Sequence, residues 1–129
     1  MRVRDAVDED ADVLVTLTDD DVDADRLIRD RTVQVAEMDS EVVGFLAFDT
    51  WRDTVHVTRL GGDPDAVEEL LGAPCSFAER ESLPVEVVLL DTDEPLHDVV
   101  VRAGFDEVGP GPMFDGERTR RYRHVPTAE

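Results

Sequence analysis

The sequence predicts an α+β domain built on one mixed sheet, with helices on the faces of that sheet. The first observation is the stretch from Thr54 to Leu71, where Val55 and Val57 alternate with polar residues, as in a strand with one buried face. The second is a strand pattern that begins at Val85, so that a helical segment separates two strands. A crossover helix of this kind connects parallel strands, and hairpin patterns elsewhere supply antiparallel ones.

The first half of the chain is predicted to supply two helices and a hairpin. A short strand at Arg2-Val3-Arg4 precedes Asp8-Glu9-Asp10, whose acids suit the start of a helix because the helix dipole favours negative charge there. A shorter helix follows, and then an alternating strand at 32–36. Asp39-Ser40 turns the chain into 41–48, which is apolar on both faces, as a central strand should be.

The strand at Val55 ends in a glycine pair, Gly61-Gly62, and a helix follows it. Asp63 can cap the first helical turn with its carboxylate, and Pro64 suits the first helical position. Free backbone N–H groups and the positive end of a helix dipole meet at this turn, which makes it a candidate phosphate site. The competing interpretation is a tight strand-to-helix turn that binds no ligand, because short glycine motifs are common.

The second half of the chain is predicted to place a helix between strands. Gly72-Ala73-Pro74 interrupts the helix behind the glycine pair, and a strand follows at 85–90. Asp93 caps a further helix, Gly104 terminates that helix, and short strands end the chain. The predicted order is β-α-α-β-β-β-α-β-α-β-β in a single domain, residues 1–129.

Charge is the strongest signal in the composition. The chain has 13 basic and 32 acidic residues, a net charge of −19, and no lysine, so every basic residue is arginine. Repulsion of this size weakens a folded chain in ordinary salt but is screened at molar salt, which predicts a halophilic protein of a salt-rich cytoplasm. The negative charge argues against nucleic acid as a partner. No apolar run is long enough to span a membrane, and the single Cys75 fits a reducing cytoplasm.

An acidic run suggests a calcium loop through Asp21, Asp23 and Asp25. An EF-hand loop needs glycine at its sixth position and glutamate at its twelfth, but Arg26 and Thr32 occupy those positions. We therefore predict a solvated connection here and no metal site.

Three strings resemble the GNAT family of acyl-CoA-dependent N-acyltransferases, and together they cover nearly the whole chain. They are VAEMDSEVVGFLAF for the central hairpin, RLGGDP for the pyrophosphate loop and VVVRAGFDEVG for the last helix and its exit. The family's loop reads Arg or Gln, two residues, Gly, one residue, then Gly or Ala. Arg59 and Gly62 fit this pattern, whereas Pro64 takes the last position and lacks an N–H that a pyrophosphate would use.

The resemblance implies a site for acetyl-CoA or another acyl-CoA along this strand and loop. The backbone of 57–59 would pair with the pantetheine arm as an added strand, and the N–H groups of 61–65 would face the diphosphate. The capping carboxylate of Asp63 competes with an anion for those donors, and Asp93 matches the family's Asn before the last helix. The residues implied to bind the cosubstrate are Val57, Thr58, Arg59, Gly61, Gly62, Asp63, Asp65 and Asp93.

Catalytic candidates are few. The family often has a Tyr five residues before the Phe of its Gly-Phe pair, where it protonates the leaving thiolate, and that position here is Val100. His56, beside the proposed thioester, is a weak candidate for the general base, and the alternative is a histidine that only edges the sheet. His97 is predicted to lie on the surface. Trp51, in a polar loop, either walls a substrate site or covers the edge of the core.

A basic run lies near the end of the chain. It either binds an anion, such as a CoA phosphate or an acidic acceptor, or pairs with some of the many carboxylates. Strand alternation predicts that one side of this run carries Arg118, Arg120, Tyr122 and His124 and that the other side carries Arg121 and Arg123.

The sequence leaves two main functions open. The first is transfer of an acetyl or other acyl group from acyl-CoA to a primary amine of a small molecule or a protein, mainly through proximity and strand N–H groups that polarise the thioester carbonyl. The second is a non-catalytic acyl-CoA-binding or interaction module on the same fold. A homodimer partner with a purely structural role is a third option.

Overall fold

A computed structural model describes residues 1–17, 24–113 and 116–125 of the chain. The strands are β1 (Arg2–Asp5), β2 (Thr32–Met38), β3 (Glu41–Trp51), β4 (Thr54–Gly62), β5 (Val85–Leu90), β6 (Asp106–Pro110) and β7 (Thr119–His124). The helices are α1 (Ala11–Thr16), α2 (Ala24–Asp30), α3 (Pro64–Leu70), α4 (Gly72–Glu81) and α5 (Glu94–Arg102), and a 3-10 turn at Asp8–Asp10 leads into α1.

The strands form one mixed sheet within the described residues. Its order is β1-β2-β3-β4-β5-β7-β6. Neighbours from β1 to β4 are antiparallel, β4 and β5 are parallel, and β5, β7 and β6 are again antiparallel. This sheet confirms the predicted fold class, including a parallel pair joined by a helical crossover.

The crossover between β4 and β5 consists of two helices. Leu71 N–H donates to the Val67 carbonyl at 3.0 Å and Cys75 N–H donates to the Leu71 carbonyl at 3.2 Å, so helical bonding continues across the junction. Pro74 lies in the first turn of α4, where a missing N–H costs little. Burial raises the pKa of the Cys75 thiol to about 11, which makes this residue a packing element rather than a nucleophile.

Two-residue turns connect β2 to β3 and β3 to β4. Asp39 and Ser40 have φ values of 52° and 69°, and Arg52 and Asp53 have values of 52° and 58°. Left-handed residues at both central positions produce a turn whose twist matches that of the flanking strands. The second turn is so short that β3 continues through Trp51, although we expected 49–53 to be a polar loop.

Two hydrophobic clusters pack on opposite faces of the sheet. The larger lies between the sheet and α3, α4 and α5, and the smaller lies between α1 and the other face of β2 and β3. On β4, β5 and β7, alternation directs polar side chains away from the larger cluster. We call this side of β4, β5 and β7 the open face, and it carries His56, Glu86, Val88, Arg121 and Arg123.

Candidate active site

Strands β4 and β5 pair over a short distance and then separate. The register joins Val55 to Val85, His56 to Glu86 and Val57 to Val87, and beyond Val57 no residue of β4 pairs with β5. A cleft of about 420 Å³ opens where the strands part. Its walls include Val57, Thr58, Arg59, Leu60, Gly61, Gly62 and Pro64 on one side and Val88, Leu89, Leu90, Asp93, Pro95 and Leu96 on the other.

A β-bulge in β4 marks the point of separation. Ala47 of β3 pairs with Arg59 and Phe48 pairs with Val57, so Thr58 is the extra residue. The Thr58 hydroxyl donates to the Ala47 carbonyl at 3.3 Å. A bulge bends its strand and increases the local twist, which directs β4 away from β5. The β4 backbone that faces the cleft is therefore a strand edge in the middle of the sheet.

The glycine pair is required by backbone packing. A Cβ on Gly61 would lie 2.5 Å from the Leu17 carbonyl oxygen, and a Cβ on Gly62 would lie 2.4 Å from the Val43 carbonyl oxygen. Gly62 also has φ +115°, a conformation that favours glycine. Close packing thus explains both glycines without a ligand, while their lack of side chains also keeps this end of the cleft open.

The turn after the glycine pair satisfies part of its own hydrogen-bonding capacity. The Asp63 carboxylate accepts from the Asp65 N–H at 2.9 Å, as the capping prediction requires. The Asp63 N–H donates to the Val43 carbonyl at 2.9 Å. Two donors proposed for a diphosphate therefore have internal partners, and Pro64 supplies none. Neither aspartate lines the cleft, so their assignment to the cosubstrate stays a prediction.

The other six residues implied to bind the cosubstrate meet at the cleft. Val57, Thr58, Arg59, Gly61 and Gly62 come from β4, and Asp93 faces them from the start of α5. Asp93 is the N-cap residue of α5, but its side chain makes no capping hydrogen bond, contrary to the prediction; its carbonyl accepts from the N–H groups of Leu96 and His97 at 3.2 Å each. The structure brings these predicted residues together, and their role in binding stays a prediction.

His56 lies on the open face, just before the point where the strands separate. Its ring centroid is 6.0 Å from that of Trp51. Trp51 is 61% exposed, and the Arg52 guanidinium lies 4.5 Å from its ring centroid, so the idea that Trp51 covers the core edge is wrong. His56 does not line the cleft itself, and its role as a base stays a prediction.

Val100 belongs to the core. Its side chain is fully buried in the larger cluster and does not line the cleft, whereas Leu96, one turn earlier on α5, does. The position at which the GNAT family often has a tyrosine is therefore occupied by a packed valine.

His97 is buried, and our prediction of a surface residue is wrong. The residue is 5% exposed, with Nδ1 2.7 Å from the Tyr122 hydroxyl and Nε2 2.9 Å from the Leu90 carbonyl. Because a carbonyl can only accept, Nε2 carries the proton and Nδ1 accepts from Tyr122. His97 thereby fixes the end of β5, where Leu90 lines the cleft.

One signal in the sequence points to Tyr122, although not to His97. Tyr122 alternates with charged residues on β7 and is 2% exposed, and a buried tyrosine hydroxyl needs a hydrogen-bond partner. The helical pattern of α5 alone could not identify that partner.

The basic run is largely paired with acids. Arg120 donates to Asp91 and lies 3.8 Å from Glu107, while Arg121 and Arg123 lie 3.7 Å and 3.8 Å from Glu86. The predicted alternation within β7 is confirmed, because Tyr122 is buried opposite Val87 and Arg123 lies opposite Glu86 on the open face.

Metal-binding and membrane-spanning features are not found in the described part of the chain. Among the described residues, no group of three or more His, Cys, Asp or Glu side chains is arranged to hold a metal ion. Asp21 and Asp23, named in the calcium interpretation, lie outside those residues. Within the same ranges, every helix is too short or too polar to span a membrane.

Solved structures show where this architecture occurs. The N-acetyltransferase from Staphylococcus aureus Mu50 matches with a TM-score of 0.78 at 10% identity, over 96% of this chain and 96% of that chain. A variant of TTHA1254 from Thermus thermophilus matches with a TM-score of 0.73 at 27% identity, over 88% of this chain and 95% of that chain.

A third structure contains a ligand. It comes from Bacillus anthracis str. Ames and is described as a streptothricin acetyltransferase in complex with acetyl coenzyme A. Its TM-score is 0.62 at 10% identity, over 74% of this chain and 62% of that chain. No protein-family model matches the sequence, and no curated protein matches it. The likeness is one of fold, and it agrees with the resemblance seen in the sequence.

Proposed function

We propose that this chain, which has the GNAT acyltransferase fold, transfers an acyl group from acyl-CoA to a primary amine. The observation that carries the proposal is the separation of β4 from β5 at Thr58, which leaves a strand edge inside a cleft of about 420 Å³. An extended amide chain can add to such an edge through main-chain hydrogen bonds. The pantetheine arm of CoA is a chain of this kind.

The acyl thioester would lie where the strands part, next to Val57 and Thr58. Backbone N–H groups of β4 there are preorganised donors for the thioester oxygen, on which negative charge develops as the amine attacks. Holding both reactants in one cleft supplies a further part of the rate by making the reaction intramolecular in effect.

The site is less favourable for the diphosphate of CoA than for its pantetheine arm. Asp63 and Pro64 reduce the number of free donors at the start of α3, and the net charge of −19 opposes an anion. We therefore expect acetyl-CoA to bind through its pantetheine arm more than through its phosphates. Removing the 3′-phosphate should change the dissociation constant by less than about tenfold, measured by calorimetry with dephospho-CoA.

Proton transfer needs no buried general acid. The CoA thiol has a pKa near that of cysteine, about 8.5, so water can protonate the departing thiolate. His56 or water would take the proton of the attacking amine. A missing acid would slow turnover by roughly 10²–10⁴-fold without abolishing it.

The test is binding of acetyl-CoA, measured by calorimetry, followed by transfer to a panel of primary amines. Val88→Trp should block the cleft, because Val88 lines it and is 39% exposed, and thermal unfolding checks that the variant is folded. Val108→Trp, at a 46% exposed position on β6, is the matched control. No binding by the unmodified protein at millimolar acetyl-CoA would refute the proposal.

A non-catalytic acyl-CoA-binding module is the second candidate, and the burial of Val100 favours it. The two candidates share the cleft and differ in turnover. Acetyl-CoA binding that Val88→Trp abolishes, without transfer to any amine, would identify the module. Even slow transfer above the rate without protein would identify the enzyme.

The acidic composition carries a separate proposal, adaptation to a salt-rich cytoplasm. The charge of −19 should destabilise the fold at low salt, since the Debye length falls from about 10 Å at 0.1 M to about 3 Å at 1 M. Thermal unfolding should shift upward as KCl rises from a few tenths molar to molar. A melting temperature that does not depend on KCl would contradict this proposal.

A further inference from the structure

The open face carries two arginines that share one acid. Arg121 and Arg123 lie on β7, on either side of the buried Tyr122, and both face away from the larger core cluster. Their guanidinium groups lie 3.7 Å and 3.8 Å from the Glu86 carboxylate, whose side chain is 15% exposed. Two positive charges and one negative charge leave this group of three with a net charge of +1, in a chain whose net charge is −19.

These ion pairs differ from those of other arginines in the chain. Arg4, Arg31, Arg102 and Arg120 each donate a hydrogen bond to a carboxylate. The distances from Arg121 and Arg123 to Glu86 are too long for hydrogen bonds. In addition, Nε of Arg121 is buried and has no hydrogen-bond partner among the described residues. Because buried donors are normally paired, the ion pair with Glu86 leaves the hydrogen-bonding capacity of this guanidinium partly unsatisfied.

Arg121 lies beside the cleft, although neither Arg121 nor Arg123 is among the residues that line it. It lies opposite Val88 in the β5–β7 register, and Val88 lines the cleft. Gly111, which follows β6, packs closely on both side chains. A Cβ added at Gly111 would lie 3.1 Å from Cγ of Arg121 and 3.3 Å from Cγ1 of Val88. Pro112, the next residue, lines the cleft. Neighbouring strands are about 4.8 Å apart, and β5 lies between the cleft and β7, so the β7 backbone at Arg121 lies about 10 Å from a thioester held between β4 and β5.

We propose that Arg121 and Arg123 bind an anionic group, carboxylate or phosphate, of the acceptor amine. The proposal rests on the proposed acyl transfer and adds the substrate class: small primary amines that carry an anion a few bonds from nitrogen. Arginine suits this role because its planar group of donors matches the oxygens of carboxylate or phosphate. Glu86 lies between the two guanidinium groups, and because Asp106 lies opposite Arg123 in the β6–β7 register, the positive charge left for the substrate is centred on Arg121.

The reaction balances without any further reagent. The amine nitrogen loses a proton from its ammonium form and attacks the thioester carbon, a C–N bond forms and the C–S bond breaks. The nitrogen loses a second proton as the amide forms, and the thiolate leaves with the electron pair of the C–S bond and takes up one proton, so the products are the amide, CoA thiol and one proton. The anion on Arg121 and Arg123 takes no part in the bond changes and serves only to orient the amine.

The experiment compares acceptors that differ only in the anion. With saturating acetyl-CoA, at the lowest KCl concentration in which the protein is folded, 4-aminobutanoate is compared with 4-aminobutanamide, and phosphoethanolamine with ethanolamine. We expect kcat/KM to be about tenfold or more higher for an anionic member, and the two pairs show whether carboxylate or phosphate is preferred. The preference should fall as KCl is raised.

The variant R121Q/R123Q should remove this preference by raising KM for the anionic amine, with KM for acetyl-CoA changed by less than about twofold. R121K/R123K should keep part of the preference, because lysine keeps the charge but not the paired donors. Arg80→Gln, on the exposed surface of α4, is the control and should change neither value. If R121Q/R123Q does not fold, the single variant R123Q is tested in its place, because Arg123 is exposed.

Other outcomes separate the two proposals. Equal kcat/KM for anionic and neutral amines would overturn the anion site while acyl transfer stands. If no amine is acetylated, calorimetry with N-acetyl-4-aminobutanoate in the presence of CoA decides. The anion site is supported if N-acetyl-4-aminobutanoate binds, its neutral amide does not bind, and R121Q/R123Q abolishes the binding. An absence of binding overturns it.

Discussion

The β4 wall of the cleft is shaped by backbone, whereas the β5–α5 wall is held by side chains. On β4, the bulge at Thr58 and the close approach of Gly61 and Gly62 to neighbouring carbonyl groups set the shape. On the other wall, His97 links the Leu90 carbonyl to Tyr122. Where the backbone itself makes the close contacts, even one added methyl group is not tolerated. Where side chains make the contacts, a single substitution removes only one of them. The two walls should therefore differ in their sensitivity to substitution.

The largest effect is expected from Gly62→Ala. A Cβ would lie 2.4 Å from the Val43 carbonyl oxygen and would have to adopt φ +115°, so strain and overpacking act together. We expect a loss of about 3 kcal/mol or more in the free energy of unfolding, measured by urea titration. Gly72→Ala, where no atom lies within 4 Å of the added Cβ, is the control and should stabilise α4 by up to about 1 kcal/mol. Equal stability of the two variants would mean that the β4 wall is not fixed by its backbone.

Val100→Tyr tests the interior behind the other wall. Because Val100 is fully buried, we expect the larger side chain to cost about 2–3 kcal/mol and to bring no increase in acyl transfer. Val101→Tyr, at a 57% exposed position on the same helix, should leave stability within about 0.5 kcal/mol of the unmodified protein. A stable Val100→Tyr protein with faster turnover would show instead that position 100 borders the cleft.

The smallest effect is expected from Tyr122→Phe. This change leaves Nδ1 of His97 buried without a donor, which should cost about 1–2 kcal/mol in thermal or urea unfolding. His97→Leu removes the same hydrogen bond from the other side, and a double-mutant cycle measures the coupling between the two residues. Additive effects would show that the hydrogen bond does not hold this wall together.

The same contrast explains what the sequence could predict. Alternation at Val55 and Val57 and the glycine pair before a capped helix predicted the strand and the crossover, and the resemblance to the GNAT family implied that a ligand lies along this strand. These are local patterns, and local patterns are visible along the chain. The burial of His97 depends on Tyr122, 25 residues later, and no local pattern reports a partner so distant.

The sequence did not predict two further features, for the same physical reason. The bulge at Thr58 arises because β4 has one residue more than β3 between two paired positions. The sequence of either strand alone does not show this difference. Trp51 lies in a strand because a two-residue turn lets β3 and β4 pair to their ends, where we expected a longer loop. Pairing between elements, rather than propensity within them, decided both cases.

The edges of the sheet have a consequence for association between molecules. At one edge, β1 has only four residues and carries charged side chains. At the other edge, β6 has an irregular register between Glu107 and Gly109, and Pro110 cannot donate to a neighbouring strand. Short, charged, bulged or proline-containing edges resist the addition of strands from other molecules. The outer rims of the sheet are thus protected against aggregation, and the edge left available to an incoming extended chain lies at its centre, between β4 and β5.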